Sequence, residues 1–313
     1  MSKSSKGQAW GLDLCGYHKK AALAFAKEER REIKVTLYEG HPFSMTRTDW
    51  DEVPHQREIE FINKQIESTP LYVDCPIDLQ GLANATNKKY KWQLDKRPID
   101  QALGGLAPLA TYVGALVSRF RLLLPTDRFG TRVFETYPAG SLKLWGRQRN
   151  FGQEGESYKG YRIQWEGKEW AAMKGKNEKK HAKAAQLAKI VNKVGIRPCG
   201  PTPNEETLNH DELDAILCAL AGLRRLSDGE LRDQMKERLL KKIEQKRSGT
   251  LKKTRNRNEK ETARNKLESE FNLAIDIINQ FTLPKGYRLC DLAKLKKEKK
   301  KIIIKREDWP PEG

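Results

Sequence analysis

"NHDELDAILCALAGLRRL", residues 209–226, reads as a helix whose apolar face begins among acids. Leu213, Ile216, Leu217, Leu220 and Leu223 recur at the spacing of one helical face, which predicts a stripe turned to a core. Asn209 is a good N-cap, and carboxylates in the first turn complement the positive end of the helix dipole. On that ground Asp211, Glu212 and Asp214 are ordinary helix-start acids. One feature resists the reading. Asp211 and Asp214 are three apart and share a face, and Asp214 sits beside the apolar stripe. An ionised carboxylate that close to a core needs a partner, and a cation would serve.

Upstream, "QAWGLDLCG" is a short strand candidate that ends at Asp13. "KAALAFA", the turn-like "KEERRE" and "IKVTLYE" predict a hairpin. A helix is expected near Pro54 with Ile59, Ile62 and Ile66 on one face, then a buried strand, "PLYVD", stopped at Asp74 by Pro76. An apolar helix over 102–124 leads to "TRVFETYPAG", a strand that ends near Glu135 before Pro138. The opening helix follows an expected insertion at about 147–203. Together these elements predict an α/β fold with a mixed sheet flanked by helices.

Three of these strands end in an acid: Asp13, Asp74 and Glu135. Catalytic groups of open α/β sheets gather at strand ends. A single strand-terminal acid is more often a turn former, but three together with Asp211 and Asp214 suggest a cluster. Carboxylates brought close repel one another, so a cluster of them persists if it binds metal. Oxygen donors without a His or Cys set point to Mg²⁺ or Mn²⁺.

Composition narrows the partner. The 313 residues carry a formal charge of +18 and 37% hydrophobic residues, a balance that suits a polyanion such as nucleic acid. Residues 231–313 hold 24 Lys and Arg against 13 Asp and Glu, the denser share of that charge. A boundary is therefore expected near "SDGEL", with residues 1–230 as the sheet domain and 231–313 as a basic, mostly helical extension. Five scattered cysteines without a C-x-x-C pair imply free thiols in a reducing cytoplasm. No signal peptide is indicated at "MSKSSKGQAW", and 102–124 is interrupted by glycines and Pro108, so no membrane association is expected.

"GLDL", "VDCPIDL", "FETYPAGSLKLWG", "SYKGYR" and "HDELDAILCAL" occur in that order. They resemble the motifs of the domain-of-unknown-function family 429, predicted nucleases with a ribonuclease H-like fold, over roughly residues 8–226. The last helix is also similar to that of RuvC-type resolvases, where an acid three residues ahead of an Asp-Ala pair completes the metal site. The resemblance implies that Asp13, Asp74, Glu135 and Asp214 are metal ligands. Asp211 is then a further or alternative ligand, and His210 a proton carrier. The chemistry implied is metal-assisted phosphodiester hydrolysis. Lys143, Arg147 and Lys159 are candidates for phosphate contact beside that site, although for each a solvated surface role competes.

Smaller features weigh less. Arg97 and Asp100 suit a substrate contact or a helix-start salt bridge equally. Trp165 and Trp170 could stack on bases, but such residues more often pack an insertion onto its host. His18, His41, His55 and His181 show no ligand spacing.

Three readings compete at this point. A divalent-metal-dependent nuclease acting on DNA or RNA leads. A non-catalytic nucleic-acid-binding protein of the same fold is second. An actin/hexokinase-like ATP-using enzyme is third, because "GLDLCGYHKK" lacks the Ser or Thr that such enzymes place after the first aspartate.

Overall fold

The computed structural model describes residues 7–14, 21–41, 43, 56–74, 126–148, 162–173, 178–199, 206–231 and 288–309, with scattered positions between 233 and 272. Its frame is a seven-stranded mixed sheet. β1 (Gln8–Asp13), β2 (Ala22–Glu28) and β3 (Glu32–Glu39) are antiparallel neighbours. β4 (Leu71–Val73) and β5 (Val133–Glu135) extend the sheet in parallel from β1. On the far side, β10 (Lys301–Asp308) runs parallel to β3, and the short β8 (Ile196–Pro198) closes that edge. The order is β5-β4-β1-β2-β3-β10-β8.

Strand alternation sorts the two faces. Trp10, Leu12, Leu23, Tyr38, Leu71, Val73 and Val133 share one core cluster with Ile66 of α1 (Gln56–Ser68). Ala22, Ala24, Ala26, Val35 and Leu37 turn to the other face and pack with α3 (Glu178–Val194) and α4 (His210–Leu223). The run of alanines on β2 is what lets a helix lie low on the sheet. A second, three-stranded sheet of β7 (Trp170–Ala172), β6 (Arg162–Trp165) and β9 (Thr207–Asn209) leads directly into α4. Trp165 and Trp170 are buried in T-shaped contact, and the Trp170 indole donates to the Ile196 carbonyl at 2.9 Å. They pack the second sheet onto its host.

Three expectations need correction. Residues 147–203 are not simply inserted, since β8 within them is a strand of the main sheet. Pro138 does not only stop β5; it opens α2 (Pro138–Gln148), where a missing N–H costs nothing. The boundary at 230 does not close the core either. β10 lies between β3 and β8, α5 (Leu292–Lys297) packs into the main cluster through Leu292 and Leu295, and so 288–309 belong to the sheet domain. Nothing in the local composition of "KIIIKR" marks that place; its partner β3 is more than two hundred residues earlier in the chain.

Two arginines tie the late segment to α4. The Arg306 guanidinium of β10 donates to Glu212 at 2.6 Å and to Glu206 at 3.2 Å, holding the start of the helix. Arg224, just past its end, bridges Glu28 of β2 and Glu298 after α5, and Lys300 joins Glu28. Both ends of α4 are therefore fixed by charge against the strands it crosses. No described helix is long and apolar enough to cross a membrane. The apolar 102–124 stretch lies outside the described residues.

Candidate functional site

The site is built by how closely α4 approaches β1. Gly11 faces the helix, and a Cβ placed on it would stand 2.2 Å from the Ala215 carbonyl oxygen and 2.2 Å from the Ala219 amide nitrogen. Further along, a Cβ on Gly222 would meet Ala9 and the Tyr72 ring at 2.4 Å. Only glycine permits either approach. Because Ala9 meets the end of α4 and Gly11 its middle, Asp13 at the end of β1 lies toward the first turn of the helix. Strand alternation places Asp13 on the same face as Gly11.

Asp74 joins from the neighbouring strand. Leu12 is in register with Val73, and the Asp74 amide donates to the Leu12 carbonyl at 2.9 Å. Tyr72 faces Gly222, so Asp74, two residues on, turns to the same side. From above, α4 supplies Asp214, fully buried, while Asp13 is 7% exposed. Asp214 is thus not an ordinary solvated helix-start acid. The Cys218 thiol, one turn along α4, is pushed well up by burial and further by Asp74, Asp13 and Asp214; a backbone hydrogen bond from Asp74 works the other way. All three carboxylates therefore act on one buried sulfur.

Glu135 does not join them. It is in register with Val73, and Val73 and Val133 belong to the cluster on the opposite face, whereas Phe134 stacks on Tyr72 at 5.2 Å. Alternation turns Glu135 away from α4, a one-residue difference that a strand-terminal acid does not reveal in sequence.

The first turn of α4 divides its acids by task. Asn209 accepts from the Glu212 amide at 2.9 Å and Glu212 accepts from the Asn209 amide at 2.7 Å, a capping box. Burial opposes charge on Arg306, yet its Glu212 and Glu206 partners hold its pKa above the usual value. His210, buried, places Nε2 2.8 Å from Asp211 Oδ1. One oxygen of Asp211 is therefore engaged with the His210 imidazole. Gly11, Arg306 and the Arg224–Glu28 pair carry no local signal in the sequence, whereas Glu212, expected as a helix-start acid, has one in the spacing Asn209-x-x-Glu212.

Of the phosphate candidates, Lys143 lies half-buried on α2 with its ammonium 5.9 Å from the centre of the Tyr137 ring. Arg147 is on the same helix, and only its backbone is described. Lys159, Arg97 and Asp100 lie outside the described residues. Cys199, Cys218 and Cys290 are free thiols.

No family model, curated protein or solved structure matches this chain. Among the described residues, no three His, Cys, Asp or Glu side chains draw close enough together to hold a metal ion. The donor set of Asp13, Asp74 and Asp214 nonetheless fits a hard divalent cation chemically, since it is all oxygen, with Asp13 and Asp214 buried and Asp74 half-buried.

Proposed function

We propose that the protein is a divalent-metal-dependent nuclease that hydrolyses phosphodiester bonds of DNA or RNA. The observation that carries this reading is that Asp13, Asp74 and Asp214, from two adjacent parallel strands and a close-packed helix, all act on the buried Cys218 thiol. The five strands β3-β2-β1-β4-β5, three antiparallel and two parallel to β1, support a ribonuclease H-like core with α4 as its last helix. Membership of the family whose motifs the chain resembles goes with this reading.

Asp13, Asp74 and Asp214 would hold Mg²⁺ or Mn²⁺. When bound, such an ion polarises the phosphate and lowers the pKa of an attacking water. The chain's own groups do the rest. Burial of Asp13 and Asp214 keeps water from competing for those carboxylates and strengthens their hold on a cation. Asp211 fixes the His210 ring through Nε2 at the start of α4, four residues before Asp214. In this reading the ring takes up a proton released at the site.

A second reading, nucleic-acid binding without catalysis, is favoured by the spacing of the acids, which do not draw to ligand distance among the described residues. Incubation of purified protein with labelled single- and double-stranded DNA and RNA, in Mg²⁺, Mn²⁺ or EDTA, separates the two. The nuclease reading expects cleavage that EDTA stops. Binding without cleavage in either metal would favour the second.

A further inference from the structure

At the opposite edge of the sheet is a groove of about 450 Å³ where α5, β10 and β8 meet the turn between β6 and β7. Lys168, Arg197, Lys296, Lys299, Lys300 and Lys301 line it, against Glu169. Lys300 is held by Glu28, with Arg224 on the same carboxylate. No carboxylate among the described residues pairs with the other five, and all five are exposed. The Lys296 ammonium lies within 3.9 Å of where a Cβ on Gly195, just before β8, would stand.

Lys299 puts a charge at a position where the backbone prefers glycine. It follows the C-cap Glu298 of α5 and has φ 53°, the left-handed position at a helix end where glycine is the default. A lysine there is strained, and its side chain lines a groove of cations.

The groove is not part of the acidic site. β10 and β8 run parallel to β1, so Lys301 at the start of β10 is at the end of the sheet opposite Asp13. From strand spacing and rise, the two are separated by roughly 25–30 Å. Most of the groove's cations are lysines, point charges on flexible stems, which suit sequence-independent contact with a phosphate backbone more than bidentate reading of one anion.

We propose that this groove binds the phosphodiester backbone of a nucleic acid, as an anchor remote from Asp13, Asp74 and Asp214. It rests on the reading above for the nature of the partner, and not for cleavage. The test is equilibrium binding of labelled duplex DNA and single-stranded RNA across a salt series, in EDTA so that nothing is cut. The variants are Lys168→Gln/Arg197→Gln/Lys296→Gln/Lys301→Gln and, separately, Lys299→Gly. A control changes Lys64, Arg162, Lys183 and Lys189 to Gln. The fourfold variant should bind at least about tenfold more weakly at low salt, its salt slope flatter by about one for each phosphate it no longer neutralises. Lys299→Gly should melt at the same temperature or higher and yet bind more weakly, which a merely structural lysine would not do. The control should bind as the parent does. Unchanged affinity and slope in the fourfold variant, or an equal loss in the control, would overturn the proposal. So would loss of binding to phosphatidylserine vesicles with nucleic-acid binding intact, which would make the groove a lipid site. Parent protein that binds through the groove but cleaves nothing in Mg²⁺ or Mn²⁺ would sink the nuclease reading and leave this one standing.

Discussion

Gly11 of β1 lies directly beneath Ala215 of α4, so close that a methyl group on Gly11 would stand 2.2 Å from the Ala215 carbonyl oxygen. The obstacle is backbone and cannot rotate aside. Gly11→Ala should therefore push α4 off the sheet at a cost of about 3 kcal/mol, the upper range for overpacking a core. Urea denaturation measures it. The same displacement carries Asp214 away from Asp13, so any Mn²⁺ stabilisation should fall with it. A Gly11→Ala protein as stable as the parent would mean that the helix does not depend on this approach.

A chain that stops at residue 230 should fail to fold cooperatively. It lacks β10, and with it the strand that joins β3 to β8 and the Arg306 that holds the start of α4. Thermal unfolding followed by circular dichroism should show no sharp transition. A cooperative melt from that truncated chain would show that residues 1–230 are a sufficient core.

Arg306→Ala isolates one part of that effect. It leaves Glu212, only 16% exposed, without its guanidinium, while the capping box remains. Hydrogen bonds to charged groups of this kind contribute about 1.5–3 kcal/mol. The variant should lose stability in that range and keep its helix content. Loss below about 0.5 kcal/mol, the level of an exposed pair, would show the interaction to be solvent-weakened.

Acid should weaken the fold through His41. Its ring is buried, with Nε2 3.1 Å from the Ala21 carbonyl oxygen, and burial pushes its pKa from 6.5 down to about 4. The unfolded chain takes up the proton first. Stability from this group is thus complete above about pH 6.5 and declines as pH falls toward 4, by about 3 kcal/mol in all. His41→Gln keeps a donor for Ala21 and cannot titrate. Denaturation at neutral pH and near pH 4.5 should show a smaller acid loss in the variant than in the parent; equal losses would assign acid sensitivity elsewhere.

The sequence made the near half of the site legible because each clue was local. "AWGLD" and "PLYVD" show apolar runs that end in an acid, and the stripe on 209–226 shows which side of α4 is buried. What could not be read was set by pairing between distant segments. Glu135 resembles Asp13 and Asp74 in sequence, but its register with Val73 turns it to the other face. "KIIIKR" reads as a strand, yet only its partners β3 and β8 make it interior to the sheet. Lys168, Arg197 and Lys301 are scattered surface charges until the edge strand gathers them. Asp211 and Asp214 share a helical face, but the spacing does not reveal that Asp211 pairs with His210.

The central claim, that Asp13, Asp74 and Asp214 form a site for a cation, is tested most directly by melting Asp214→Asn beside the parent in EDTA and in Mn²⁺, with cleavage assayed on the same samples. Without metal, a fully buried carboxylate with Asp13 and Asp74 on the facing strands is disfavoured as a charge, so neutralising Asp214 should leave the melting temperature unchanged or higher. Mn²⁺ should raise the parent's melting temperature, as any ligand bound only by the folded state does, and leave the variant's unmoved. Cleavage should be lost. An Asp214→Asn protein that cleaves normally in Mg²⁺ would contradict the account. So would one that melts markedly lower while the parent ignores Mn²⁺, since Asp214 would then be a structural carboxylate.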